Sequence, residues 1–180
     1  TTDPGTVSPA GQVTVSGAVA IATPLKGATA CYDLDANAAC DSGEPSATTG
    51  SDGRFALAVD TAQAGRHAVV AQVPATAIAA GSGAAVGTAF TLRAPASGVS
   101  DAHAVAVTPL STAVAHLSAW AGLPTADAAA AVQRSLGLDA SPLADYVAAA
   151  DAQAARLAGA AHALTVRTAS LSASARVPAD

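Results

Sequence analysis

Cys31-Tyr32-Asp33-Leu34-Asp35-Ala36-Asn37-Ala38-Ala39-Cys40-Asp41-Ser42-Gly43-Glu44 is the stretch on which the reading of the whole chain turns. Its oxygen-bearing side chains, Asp33, Asp35, Asn37, Asp41 and Glu44, fall at positions 1, 3, 5, 9 and 12 of a loop, with the backbone carbonyl of Ala39 at position 7. That is the spacing by which a flexible loop wraps a hard cation in oxygen, and so many protein oxygens favour Ca2+ over the smaller, more tightly hydrated Mg2+. Ala38 stands at position 6, where such loops place glycine for a sharp turn. That departure keeps a second reading open, in which the segment is only a solvated acidic turn.

Cys31 and Cys40 are too few for a zinc cluster, and their neighbours are carboxylates and an amide rather than His or further Cys. A disulfide is expected, closing a short loop around the first three ligands and reducing the entropy lost when an ion binds. It would place the chain in an oxidising compartment, in keeping with calcium sites that work at extracellular concentrations; the alternative is a pair of buried free thiols in a cytosolic protein.

Around this loop, alternation predicts short strands. Val13, Val15, Val19 and Ile21 alternate through Gln12 to Thr23, and Ala28 to Tyr32 leads into the loop. Ser51-Asp52-Gly53 reads as a hairpin turn, followed by Phe55, Leu57 and Val59 pointing inward. Arg66 to Val73, Thr88 to Arg93 and His103 to Val107 read as further strands, and Thr76 to Gly87 as a loop or short helical turn. The count and spacing predict a seven-stranded antiparallel β-sandwich over residues 12–107.

Three segments carry a family resemblance: Val15-Ser-Gly-Ala, Gly27-Ala-Thr-Ala-Cys-Tyr-Asp-Leu-Asp-Ala-Asn, and Glu44-Pro-Ser-Ala-Thr-Thr-Gly-Ser-Asp-Gly-Arg-Phe-Ala-Leu. Together they resemble the carboxypeptidase-regulatory-like domains and the B-type repeats of bacterial surface adhesins, closely over residues 12–60 and loosely over 61–107. The resemblance implies a transthyretin-like or immunoglobulin-like sandwich on a secreted or surface protein, without catalysis. It also implies ligand roles for Asp33, Asp35, Asn37, Asp41 and Glu44.

From Thr108 the period changes. Thr108-Pro109 is an N-cap with proline at the first helical position; Leu110, Val114, Leu117 and Ala121 follow at helical spacing, and Gly122 ends the run. Thr125 is expected to cap a second helix ending at Gly137. Ser141-Pro142 is expected to open a long third one with Leu143, Tyr146, Val147, Ala150, Ala154, Leu157 and Ala161 on one face. Residues 165–180 lose this period and stay unassigned. The whole is an α+β chain: a tether over 1–11, the β-sandwich over 12–107, and a small three-helix part over 108–180.

Composition narrows the function. Half of the 180 residues are hydrophobic (51 %), yet there are only two Phe, two Tyr and one Trp, so the core must be built from Ala and Val. At roughly 25 cal/mol per Å2 such side chains contribute little each, which makes a bound metal and a disulfide useful restraints. A net charge of -5 with eight basic residues leaves no basic surface for nucleic acid. No apolar run approaches the ~18 residues of a transmembrane span. The polar segment Thr1 to Gly11 reads as what remains after an export signal is cut, and its composition suits a tether following a lipidated Cys, giving an extracellular or cell-surface expectation.

His67, His103, His116 and His162 show no metal-ligand spacing, no Gly-x-Ser-x-Gly elbow is present, and Gly81-Ser-Gly lacks the lysine of a phosphate loop, so no catalytic residues are assigned. Trp120 is expected to anchor the helices on the sandwich. The functional expectation is a non-enzymatic exported structural or adhesive protein, assembling with itself or with another surface protein into a fibre by donation of its first strand. The competing expectation is an accessory module that binds a glycan or protein for an extracellular enzyme system.

Overall fold

The computed structural model describes residues 11–98, 102, 104–148 and 152–174, with side chains as far as residue 165. Thr1 to Ala10, His103 and Ala150, which entered the expectations above, lie outside the described residues. In chain order the elements are β1 (Gln12–Val19), β2 (Leu25–Lys26), β3 (Thr29–Asp33), β4 (Ser46–Thr48), β5 (Arg54–Asp60), β6 (Ala68–Val73), β7 (Ile78–Ala79), β8 (Phe90–Ala94) and β9 (Val105–Val107). The helices are α1 (Pro109–Ala121), α2 (Thr125–Leu136) and α3 (Ala152–Ser174). The mixed α+β class is as expected.

The strand set departs from the expected seven-stranded antiparallel β-sandwich: nine strands are described, and one pairing is parallel. The described strands form a three-stranded sheet β5-β1-β9, a four-stranded sheet β4-β3-β6-β8 and a small β2-β7 pair. β9 runs parallel to β1, with Gly17 opposite Val105. Gly17 is required there: a Cβ at this position would sit 2.0 Å from the Val105 carbonyl oxygen and 2.9 Å from the Phe55 ring. Side chains of both larger sheets meet in one buried cluster, including Val15, Tyr32, Leu57, Val69, Leu92 and Val107. As the alternation requires, Phe55, Leu57 and Val59 are all buried.

Ser51-Asp52-Gly53 is a turn, with Gly53 at φ +70°, but it does not close a hairpin. It carries the chain from one sheet to the other, because β4 pairs with β3 and β5 with β1. Thr49 explains the switch. Its buried hydroxyl donates to the Leu25 carbonyl (2.6 Å) and accepts from Ala28 N (3.0 Å), fastening this segment beside β3.

α1 forms as expected, with a reciprocal capping box between Thr108 and Ser111 and Gly122 left-handed at the C-cap. Its first turn docks on β8: Thr112 Oγ1 accepts from Arg93 N (2.8 Å) and Ser111 Oγ donates to the Arg93 carbonyl (2.9 Å). In α2, Thr125 is the first helical residue and Pro124 takes the N-cap, so the expected threonine cap is absent.

The third helix starts later than its periodicity suggested, since residues 141–148 form turns. Asp145 Oδ1 accepts from Val147 N and Ala148 N, local bonds that compete with a helix, while its Oδ2 holds Arg54 Nη1 at 2.8 Å. Tyr146 is buried with its hydroxyl donating to the Ile21 carbonyl, and it joins Ala20, Leu110, Ala154, Leu157 and Ala161 in a second cluster. Trp120 anchors nothing; it is 87 % exposed.

Burial pushes the Tyr146 phenol up from its ordinary value, so the folded protein holds this proton above the pH at which the unfolded chain releases it. The resulting stability is full below about pH 10 and drains away as pH climbs beyond it. Tyr146→Phe should flatten that alkaline loss in pH-dependent urea melts, at the cost of about 1 kcal/mol at neutral pH from the orphaned Ile21 carbonyl. Gly17→Ala should destabilise by about 3 kcal/mol, whereas Trp120→Ala should change stability by no more than about 0.5 kcal/mol.

Candidate metal centre

Alternation along the four-stranded sheet prepares the site. Tyr32, Val69, Ala71 and Leu92 face the core cluster, which leaves Cys31, Asp33, Val70 and Arg93 on the opposite face. That face is roofed by the loop after β3. Cys31 and Cys40 form a disulfide with Cα atoms 5.5 Å apart, as expected from the sequence, and Cys40 Sγ lies 3.9 Å from the Val70 carbonyl oxygen.

Asp33 ends β3 and begins the loop, and its carboxylate is buried at 1 % exposure. Oδ1 accepts from Asn37 N (3.1 Å) and Oδ2 from Ala38 N (3.1 Å), while Arg93 Nη2 lies 3.8 Å from Oδ2. The loop therefore folds over its own first ligand. Glu44 closes it from the other end: Oε1 accepts from Leu34 N (2.7 Å) and Oε2 from Asp41 N (3.1 Å). Asn37 stands between two carboxylates, its Nδ2 donating to Asp35 Oδ2 (3.0 Å) and to Asp41 Oδ2 (2.5 Å), and its Oδ1 accepting from Ala39 N (2.7 Å).

Carboxylate oxygens of Asp33, Asp35 and Glu44 all lie within 4.8 Å of one another, a group that could hold a metal ion. Of the six positions expected as ligands, these three converge. Asp41 is linked to Asp35 through Asn37, and the Ala39 carbonyl oxygen is 3.6 Å from Cys31 Sγ. Asp35 is exposed and Glu44 half-buried, so water screens the cluster; even so, like charges at such distances repel by about 1 kcal/mol per pair. A cation would turn that repulsion into attraction. The donor set is oxygen alone, which suits a hard ion and no soft one.

The backbone supplies what the missing glycine would have. Ala36 and Ala38 both adopt the left-handed conformation at φ 61°, each at a cost of about 1–2 kcal/mol for a residue with a Cβ. The hydrogen bond from Ala38 N to Asp33 holds the second of these turns in place. Ala38 thus fills the turn role that position 6 demands.

Among the described residues, no histidine joins this cluster. His116 and His162 are exposed on α1 and α3, and His67 stacks edge-on against Tyr32 with ring centroids 5.7 Å apart. Sequence reasoning overlooked Arg93, whose partner Asp33 lies sixty residues away. The available signal was its place between the inward-facing Leu92 and Ala94, which turns it to the loop side of the sheet. Comparisons with protein-family models, curated proteins and solved structures find no match for this chain.

Ala38→Gly should relieve the strained turn, raising stability by about 0.5–1 kcal/mol in chemical denaturation, with the disulfide and fold unchanged. A loss of stability would mean that the left-handed turn costs this loop nothing.

Proposed function

We propose that the loop from Asp33 to Glu44 binds Ca2+ and that the protein is a non-enzymatic, exported structural or adhesive component whose β-sandwich the ion stiffens. The observation that carries this reading is the convergence of Asp33, Asp35 and Glu44 in a loop closed by a disulfide. Asp33, Asp35 and Glu44 are the primary ligands, and Asn37, Asp41 and the Ala39 carbonyl complete the shell as the ion replaces the Asn37 bridge. The disulfide supports an exported setting, and no helix among the described residues is long and apolar enough to cross a membrane. The likeness to carboxypeptidase-regulatory-like domains and adhesin repeats, resting on the loop and its flanking segments, agrees with a surface role.

Assembly into a fibre, in this reading, proceeds by exchange and not by simple addition. β1 is paired with β5 along its length and with β9 at its end, and Val15 and Val19 belong to the core. Donating β1 to a neighbour therefore means opening one molecule and closing the next, as in a domain swap. Deleting β1 would unfold the protein and cannot serve as a test of assembly.

A second reading, an accessory module for a glycan or protein, is favoured by Trp120, whose exposed ring adjoins the exposed Leu123 in sequence. The two readings part at the metal. With Ca2+ at 100-fold above its dissociation constant, stability should rise by about 2.7 kcal/mol, or roughly 5–10 °C in melting temperature for a chain of this size. Excess EDTA should reverse this. Asp35→Asn, an exposed change that leaves the fold intact, should lower the calcium-induced shift by more than half; a melting curve indifferent to both Ca2+ and EDTA would rule the reading out.

A further inference from the structure

On the same face of the sheet lies an open pocket of about 260 Å3, lined by Asp33 and Ala36 at the start of the loop and by β6 with the residues just before it, β8, α1 and the start of α2. Its wall carries Arg66, His67 and Arg93 in a protein with a net charge of -5 and eight basic residues, so two of the scarce arginines are concentrated here. Arg93 is fixed at its root by the bonds of its backbone to Thr112 and Ser111. Its guanidinium is nevertheless underused. Nε is buried without a hydrogen-bond partner, and Nη2 stands 3.8 Å from Asp33, beyond hydrogen-bonding reach.

Asp33 answers the charge at ion-pair distance, but a buried donor left without a hydrogen bond is costly. Asp33 is already engaged by the backbone N–H groups of Asn37 and Ala38. α2 also opens at this pocket through Thr125, with Asp127 in its first turn offsetting the positive end of the helix. Arg93 and Arg66 together outweigh the one buried carboxylate in the lining, Asp33, and favour a negative ligand.

We propose that this pocket binds a small carboxylate, of the size of an acidic amino acid or a sugar acid. The choice of carboxylate follows from Arg93: Nε–H and the neighbouring Nη–H form a planar fork that matches two coplanar oxygens, and because Nε is buried the side chain turns toward the opening on binding to present both. The pocket, about 260 Å3 and open to solvent, has room for one such small molecule. Arg66, exposed at the pocket, supplies the second positive charge.

The test is a titration of the full chain in EDTA-containing buffer, so that its outcome does not depend on metal in the loop. N-acetyl-L-glutamate and D-glucuronate are the two acids, and D-glucose and inorganic phosphate the controls, with amide chemical shifts as readout. Saturable shifts confined to Arg66, His67, Arg93 and residues 115–125 are expected for at least one acid, and which acid binds more tightly tells the amino-acid source from the sugar source. Arg66→Gln and Arg93→Gln should each weaken binding about tenfold or more. The exposed Arg66→Gln keeps the test informative should Arg93→Gln disturb the sheet. Absence of saturable shifts with both acids, equal binding of glucose or phosphate, or full affinity in Arg66→Gln would overturn the assignment.

Discussion

Asp33 is the last residue of β3 and the first of the loop, and its buried carboxylate receives two backbone N–H groups from the residues that follow it. Those two bonds turn a flexible acidic segment into a defined shape, because they fix where the chain reverses at Asn37 and Ala38. The turn in turn brings Asp35 and Glu44 to the same place, and Glu44 seals the loop by accepting from Leu34 and Asp41. Burying a charge is tolerable only when it is hydrogen-bonded or paired, and Asp33 has both forms of support, Arg93 being the nearby cation. Remove that carboxylate and the loop loses its folding template along with its innermost ligand.

The disulfide and the loop act on the same problem from two directions. A core of Ala and Val buries little area per residue, so the molecule leans on restraints that lower the entropy of the unfolded chain. Closing the nine-residue separation between Cys31 and Cys40 is worth about 2–3 kcal/mol in the chain-entropy account, comparable with what a bound cation would add. The helices contribute in a different way: α1 docks its first turn on β8 at Arg93, and the Arg54 to Asp145 ion pair with the buried Tyr146 ties the segment before α3 to the strands. Sheet, loop and helix therefore meet around the same two residues, Asp33 and Arg93.

Local signals were legible in the sequence. The alternation of Phe55, Leu57 and Val59, the Thr108-Pro109 start and Gly122 stop of α1, the pairing of Cys31 with Cys40 and the convergence of Asp33, Asp35 and Glu44 all depend on residues close together in the chain. What escaped depends on distant partners. The Ser51 to Gly53 turn looks like a hairpin until Thr49 is seen bonded to Leu25 and Ala28; the parallel pairing of β9 depends on Gly17 meeting Val105. Periodicity alone carried the third helix back to Ser141, but Asp145 and Tyr146 spend their polar groups on their neighbours and on Arg54 and Ile21. The size of Trp120 suggests an anchor between helices and sandwich, yet α1 buries its other face, through Leu110, Ser111, Val114 and Ala115. The arginine pocket was invisible for the same reason, since Arg66 and Arg93 come together only through the pairing of β6 with β8.

The most direct measurement is a crystal structure of the protein grown with Ca2+, read for the ion's distances to the loop oxygens. Carboxylate oxygens of Asp33, Asp35 and Glu44 are expected at about 2.3–2.6 Å from one ion, with the Asn37 amide turned so that its oxygen faces inward. A loop without an ion at millimolar calcium, or an ion held by water alone and untouched by Asp33, would contradict the account.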